Sequence, residues 1–181
     1  MRQKFIVFEG IYGSGSQHLS LSFALKYNWF WTQQPTFSTE KIIKLNSPET
    51  NDFQRETEFL IDKIQYVQKY SEKPLLVCHR FIWSALVFSM KFSPKTFQMM
   101  KQIYANPYFL KPDWYIFLDT PTDICQTNYK KLSINELDKF RKAFMSTEEL
   151  ISKHSKVLTI SCLGKEQDIV ESIYKFVNNE L

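Results

Sequence analysis

Lys4 to Gln17 read KFIVFEGIYGSGSQ, and this stretch decides the fold. Its first six residues form a short continuous run of β-branched and aromatic side chains that stops at a glycine, which is the pattern of a buried strand. Gly10, Gly13 and Gly15 follow within six residues, in a chain that has only four glycines. Glycines at a strand-to-helix turn allow positive φ and let backbone N–H groups approach an anion at the positive end of a helix dipole.

Gly10 to Gly15 has the G-x-x-x-x-G spacing of a phosphate-binding loop, and a helix expected over Gln17–Tyr27 supplies the strand–loop–helix context. The phosphate loop is therefore Gly10, Gly13, Ser14, Gly15, Ser16 and Gln17. A transferring loop continues with Lys, which neutralises phosphate charge, and then with Ser or Thr, whose hydroxyl binds Mg²⁺. Ser16 and Gln17 stand in those places. Ser16 is short and uncharged, the Gln17 amide is a poor substitute for the magnesium hydroxyl, and His18 carries only part of a charge at neutral pH.

Outward from this loop, strands and helices alternate. Further strands are expected over Asn28–Gln33, Leu75–Cys78, Trp114–Leu118 and Val157–Ser161. Helices are expected from Ser38 to Leu45, over Asp52–Tyr70, around Trp83–Met90, through most of Thr122–His154, and over Glu166–Asn178. Such alternation predicts a three-layer α/β fold in which a sheet of about five parallel strands is covered on both faces. Ile6, Val7, Leu76, Val77, Ile116 and Phe117 are its expected core. No repeat or linker divides the 181 residues, so one domain spanning 1–181 is expected.

Hydrophobic residues make up 44% of the chain and aromatic residues 16%, which excludes a disordered or low-complexity segment. A net charge of +4 suits phosphate ligands and gives no specific indication of nucleic acid. Cys78, Cys125 and Cys162 have no metal-ligand or disulfide spacing and read as reduced thiols; no metal site is expected from side-chain clusters. No apolar run approaches the ~18 residues of a membrane span, and Phe5-Ile6-Val7-Phe8 is too short for a signal peptide core. A cytoplasmic or similarly reducing compartment is the expectation.

FIVFEGIYGSGSQ resembles the opening of the thymidylate kinase family, FIxxEGxDGxGKST, and other segments resemble that family in order. TEFLIDKIQ (57–65) is similar to its helix LLFxADRxxH, LLVCHRF (75–81) to its strand ending in Asp-Arg-Tyr, and KPDWYIFLDTP (111–121) to its KPDLxxxLDxP strand. Residues 135–144 are similar to the helix after its lid. The deoxynucleoside kinases share much of this pattern and stand close behind. The resemblance implies the P-loop kinase fold, ATP and Mg²⁺ as cofactors if the site works, and nucleotide contacts from Phe59 on the base, Lys63 in place of an arginine, and Arg80. Arg80 is the one candidate for a catalytic role.

The departures cluster at the chemistry. Tyr12 stands for an Asp, Ser16 for the Lys, Gln17 for the hydroxyl residue, and His79 for the acid of Asp-Arg. Phe37 matches the arginine expected after Gln34-Pro35, and between Thr127 and Leu137 only Lys130 and Lys131 stand where a lid offers several arginines. The expectation is a catalytically degraded relative with a binding, scaffold or nucleotide-sensing role. Its partners would be a nucleotide or phosphate and a second copy of the chain or a larger assembly. The alternative is an active thymidylate or deoxynucleoside kinase using His18, Lys130 or Lys131 in place of the lost lysine.

Overall fold

The computed structural model describes residues 3–32, 39–45 and 47–178. In chain order the elements are β1 (Lys4–Glu9), α1 (Ser16–Tyr27), β2 (Phe30–Thr32), α2 (Thr39–Leu45), α3 (Asp52–Gln68), β3 (Leu75–His79) and α4 (Ile82–Phe92). They continue with α5 (Pro94–Ala105), β4 (Trp114–Asp119), α6 (Thr122–Asn128), α7 (Ile134–Ser152), β5 (Lys156–Ser161) and α8 (Glu166–Asn178). The five strands form one parallel sheet in the order β2-β3-β1-β4-β5.

The continuous apolar character of β1 follows from its central place. Side chains alternate across a strand, so Phe5 and Val7 join one core while Ile6 and Phe8 join the other. The first core packs the sheet under α3, α4, α5 and α7 through Leu60, Trp83, Met100 and Phe144. The second packs it under α1 and α8 through Leu19, Phe23, Val170 and Ile173. Ile6, Val7, Leu76, Val77, Ile116 and Phe117 are all buried as expected. Trp29, Trp83 and Trp114 are buried too, so these rings serve packing and not a partner surface. The Trp83 indole N–H donates to Thr147 Oγ1 at 2.8 Å, which ties α4 to α7.

Helix α5 was not expected from apolar periodicity. Its start is written in Ser93-Pro94: the Ser93 hydroxyl accepts from the Thr96 amide at 3.3 Å, and proline occupies the first turn. The connection between α6 and α7 spans only residues 129–133, ended by a capping box in which Ser133 and Glu136 bond each other's amides. There is no room in it for a full lid. Among the described residues, no helix is long and apolar enough to cross a membrane.

β1 lies between β3 and β4, and the chain crosses from one side of β1 to the other between them. In open α/β sheets ligands bind at such a switch point, outside the carboxyl ends of the strands. Glu9, His79 and Asp119 sit at those ends.

Candidate functional site

The loop from Gly10 to Gly15 is built by close packing as much as by glycine's freedom. Gly13 has φ +80°, and a Cβ there would lie 2.2 Å from the Cys125 carbonyl oxygen, so only glycine fits against α6. Thr120 Oγ1 donates to the Ser14 carbonyl at 2.9 Å, and Asn128 Nδ2 donates to the Gly13 carbonyl at 3.0 Å. A trans peptide points its N–H opposite its C=O, so the bond from Thr120 turns the Gly15 N–H away from β4. Gly15, also left-handed at φ 85°, then opens α1 with no side chain capping the helix end.

A cavity of about 670 Å³ lies over this loop. Its wall includes Gly13 to His18 together with Tyr12, His79, Arg80 and Tyr129. Of the sequence-derived candidates, the structure therefore brings Arg80 together with the loop residues Gly13, Ser14, Gly15, Ser16 and Gln17, and Gly10 precedes them at the end of β1. Phe59 and Lys63 lie on α3 outside that wall. Phe59 is half-buried. Lys63 is not the solvated residue that an ordinary helix face would make it: it is 8% exposed, and its charge acts on Glu9, Cys78 and His79. Phe37 lies outside the described residues.

Ser16, in the place of the lysine, turns inward. Its hydroxyl lies 3.1 Å from His79 Nε2, and Ser14 Oγ donates to it at 3.2 Å. Ser16 and His79 are 3% and 8% exposed, so the contact is shielded from water. Burial, with the nearby charges of Arg80 and Lys63, pushes His79 down to about 3, so the imidazole is neutral at physiological pH. Ser16 and His79, which stand where the resemblance calls for a lysine and an acid, meet as one neutral pair.

The two carboxylates at the strand ends are already bonded. Glu9 is fully buried; Oε1 accepts from the amides of Phe81 and Ser84, and Oε2 accepts from the Ser84 hydroxyl at 2.5 Å. Burial raises its pKa against the opposing pull of Arg80, Ser84 and Lys63. Asp119 accepts both Nε and Nη2 of Arg141, at 2.6 and 2.8 Å, which fixes α7 to the end of β4. Arg80 is held in the left-handed region at φ 62° by its own amide, which donates to the Phe8 carbonyl at 2.9 Å. Its guanidinium sits 5.0 Å from the centre of the Tyr12 ring and 6.0 Å from that of Phe88. Tyr12 also stacks on Tyr129 at 5.0 Å and meets Phe88 and Phe140. An aromatic cluster thus occupies the side of the loop where the resemblance calls for an acid. His18 is turned to the outer rim, with Nε2 at 3.0 Å from Glu166. Lys130 and Lys131 are exposed on the short connection after Tyr129.

Magnesium does not fit this donor set. Among the described residues no carboxylate is part of the cavity wall, the oxygens of Glu9 and Asp119 already accept hydrogen bonds from other groups, and Gln17 stands where the resemblance calls for the hydroxyl. Among the described residues no group of three His, Cys, Asp or Glu side chains could hold a metal ion.

Comparison with known proteins bears on the fold that carries this site. The chain is 27% identical to the thymidylate kinase of Caldicellulosiruptor saccharolyticus, across 100% of this chain and 98% of the relative. It is 28% identical to the probable thymidylate kinase of Methanocaldococcus jannaschii, across 97% of this chain and 96% of the relative. Over its whole length the chain is similar to thymidylate kinases. No protein-family model matches it. Among solved structures, the deoxyadenosine kinase of M. mycoides with dCMP and dCDP bound superposes with a TM-score of 0.75 at 12% identity, covering 97% of this chain and 99% of that one. The same kinase with dCTP gives 0.72 at 14% identity. These likenesses establish the P-loop kinase fold.

The sequence singled out Ser16 and His79 as separate losses and gave no sign that they touch. The cluster around Tyr12 and the wrapping of Glu9 were likewise invisible: the first gathers Phe88 of α4, Tyr129 just after α6 and Phe140 of α7, the second Phe81 and Ser84 at the start of α4, all distant in the chain.

Proposed function

We propose that this thymidylate kinase-like chain binds a nucleotide or phosphate at its glycine loop without transferring phosphate, in a sensing or scaffolding role. The observation that carries the reading is the buried Ser16–His79 contact at 3.1 Å. A neutral pair at the position that the resemblance gives to the phosphate lysine supports the absence of transfer, because transfer needs a cation on the moving phosphoryl group. Phosphoryl transfer rests almost entirely on positioning and electrostatic stabilisation, and the loss of one such positioned donor costs about 100- to 1,000-fold in rate. The short 129–133 connection, with Lys130 and Lys131 in place of lid arginines, removes further charge.

The competing reading is an active thymidylate or deoxynucleoside kinase with rewired ligands. Arg80, still in the cavity wall, favours it. A coupled assay with ATP, Mg²⁺ and either thymidylate or deoxyadenosine separates the two. Turnover near the ordinary kinase range of roughly 1 to 100 per second supports the active enzyme; turnover at least about 1,000-fold lower supports the proposal. Replacing Ser16 discriminates further, since Ser16→Lys would abolish activity in a rewired site. Self-association, which the resemblance implies, is part of the scaffold reading and is tested by native mass measurement.

A further inference from the structure

The disagreement between the magnesium expected in this fold and the donors present has a consequence for which form of a nucleotide the pocket takes. A divalent cation on a bound di- or triphosphate needs oxygen ligands from the protein or water, and hard cations favour carboxylates and hydroxyls. The three strand ends that open on the loop carry Glu9, His79 and Asp119. Glu9 spends one oxygen on two backbone amides and the other on Ser84, Asp119 spends both on Arg141, and His79 is bonded to Ser16. The cavity wall does hold the hydroxyls of Ser14 and Ser16, but they are buried, with Ser14 bonded to Ser16 and Ser16 against His79; the rest of the wall includes Arg80, Gln17, Asn128, Tyr12, Tyr129 and the loop backbone. Of these, the guanidinium of Arg80, the Gln17 and Asn128 amides and the loop backbone gain from the full negative charge of a phosphate and gain nothing from a cation bound to it.

We propose that this pocket takes phosphate groups bare of magnesium, so that Mg²⁺ weakens nucleotide binding instead of strengthening it. The ligand class is the free nucleoside mono- or diphosphate. The inference rests on the binding reading above. It concerns only the sign of the metal's effect, so it can fail while the binding reading stands.

The test is calorimetric titration of ADP into the purified chain in EDTA and again in excess Mg²⁺, at constant ionic strength, with thymidylate as a second probe. If only free ADP binds, Mg²⁺ raises the apparent Kd by a factor of 1 + [Mg²⁺]/K, where K is the MgADP dissociation constant; this is about 11-fold at ten times K. Thymidylate, whose single phosphate holds Mg²⁺ weakly, should shift far less. An ADP affinity that is unchanged or improved by Mg²⁺ overturns the inference and leaves the absence of transfer standing. No binding of ADP or thymidylate in EDTA overturns the inference and the binding half of the proposed function together, while turnover is judged by its own assay.

The triple change Ser16→Lys, Gln17→Thr and His79→Asp restores the lysine, the hydroxyl and the acid at once. It should reverse the sign, making ADP bind more tightly with Mg²⁺. A folded triple variant that still binds better in EDTA would show that these three residues do not set the preference. If the variant fails to fold, the sign measured on the unmodified chain still decides.

Discussion

His79 gives the sharpest stability test. Its imidazole is buried beside Ser16, and Arg80 and Lys63 add to the cost of a second charge, so its pKa falls to about 3 in the native chain. In the unfolded chain it returns to about 6.5. Between those values the unfolded state binds more protons, so stability falls as pH is lowered from 6.5 towards 3. Integrating the difference gives about 2 kcal/mol lost between pH 7.5 and pH 5, with a ceiling near 5 kcal/mol. Glu9 acts in the opposite sense, because its raised native pKa means that the folded state takes up its proton first as pH falls. The comparison must therefore be with His79→Gln, whose longer amide reaches towards the place of Nε2 beside Ser16 but does not titrate. Urea unfolding of both proteins at the two pH values is the assay. The expected result is that the unmodified chain loses about 2 kcal/mol more than the variant, a midpoint change of about 1 M for a slope near 2 kcal/mol/M. Parallel pH dependence within about 0.5 kcal/mol would refute the neutral, buried state assigned to His79.

Three other substitutions probe the frame of the site. Gly13→Ala forces a Cβ into the Cys125 carbonyl at a left-handed φ, so it should cost at least about 2 kcal/mol and lower Tm by about 5 °C or more in a thermal melt. Glu9→Gln turns an acceptor of three hydrogen bonds into a partial donor beside two backbone amides and leaves Arg80 without its buried counter-charge. A loss of about 3 kcal/mol in urea unfolding is expected. Asp119→Asn breaks the paired contact to Arg141, whose partners are partly exposed, and should cost no more than about 1 kcal/mol, read as a small Tm shift that shrinks in high salt.

The sheet was legible because burial on both faces demands continuous apolar strands, and β1, β3 and β4 satisfy that demand within their own sequences. The loop was legible because three of four glycines fall together. Helix α5 was not, since its buried positions Thr96, Met100 and Tyr104 are interleaved with lysines and glutamines, and its strongest signal is the Ser93-Pro94 cap instead of periodicity. The Ser16–His79 contact joins residues 63 positions apart and exists only because β1 and β3 are neighbours in the sheet. Lys63 is a similar case: a cation on an amphipathic helix reads as solvated until α3 is laid on the sheet, where the field of Glu9 makes its burial tolerable.

Under the proposed function, the fold and its anion loop persist without the electrostatics of transfer. Single-turnover measurement of labelled phosphate moving from ATP to thymidylate, with the chain in excess over nucleotide and Mg²⁺ present, tests it without dependence on product release. The expected rate is at least about 1,000-fold below the roughly 1 per second that marks the lower end of ordinary kinases. Transfer at about 1 per second or faster would contradict it.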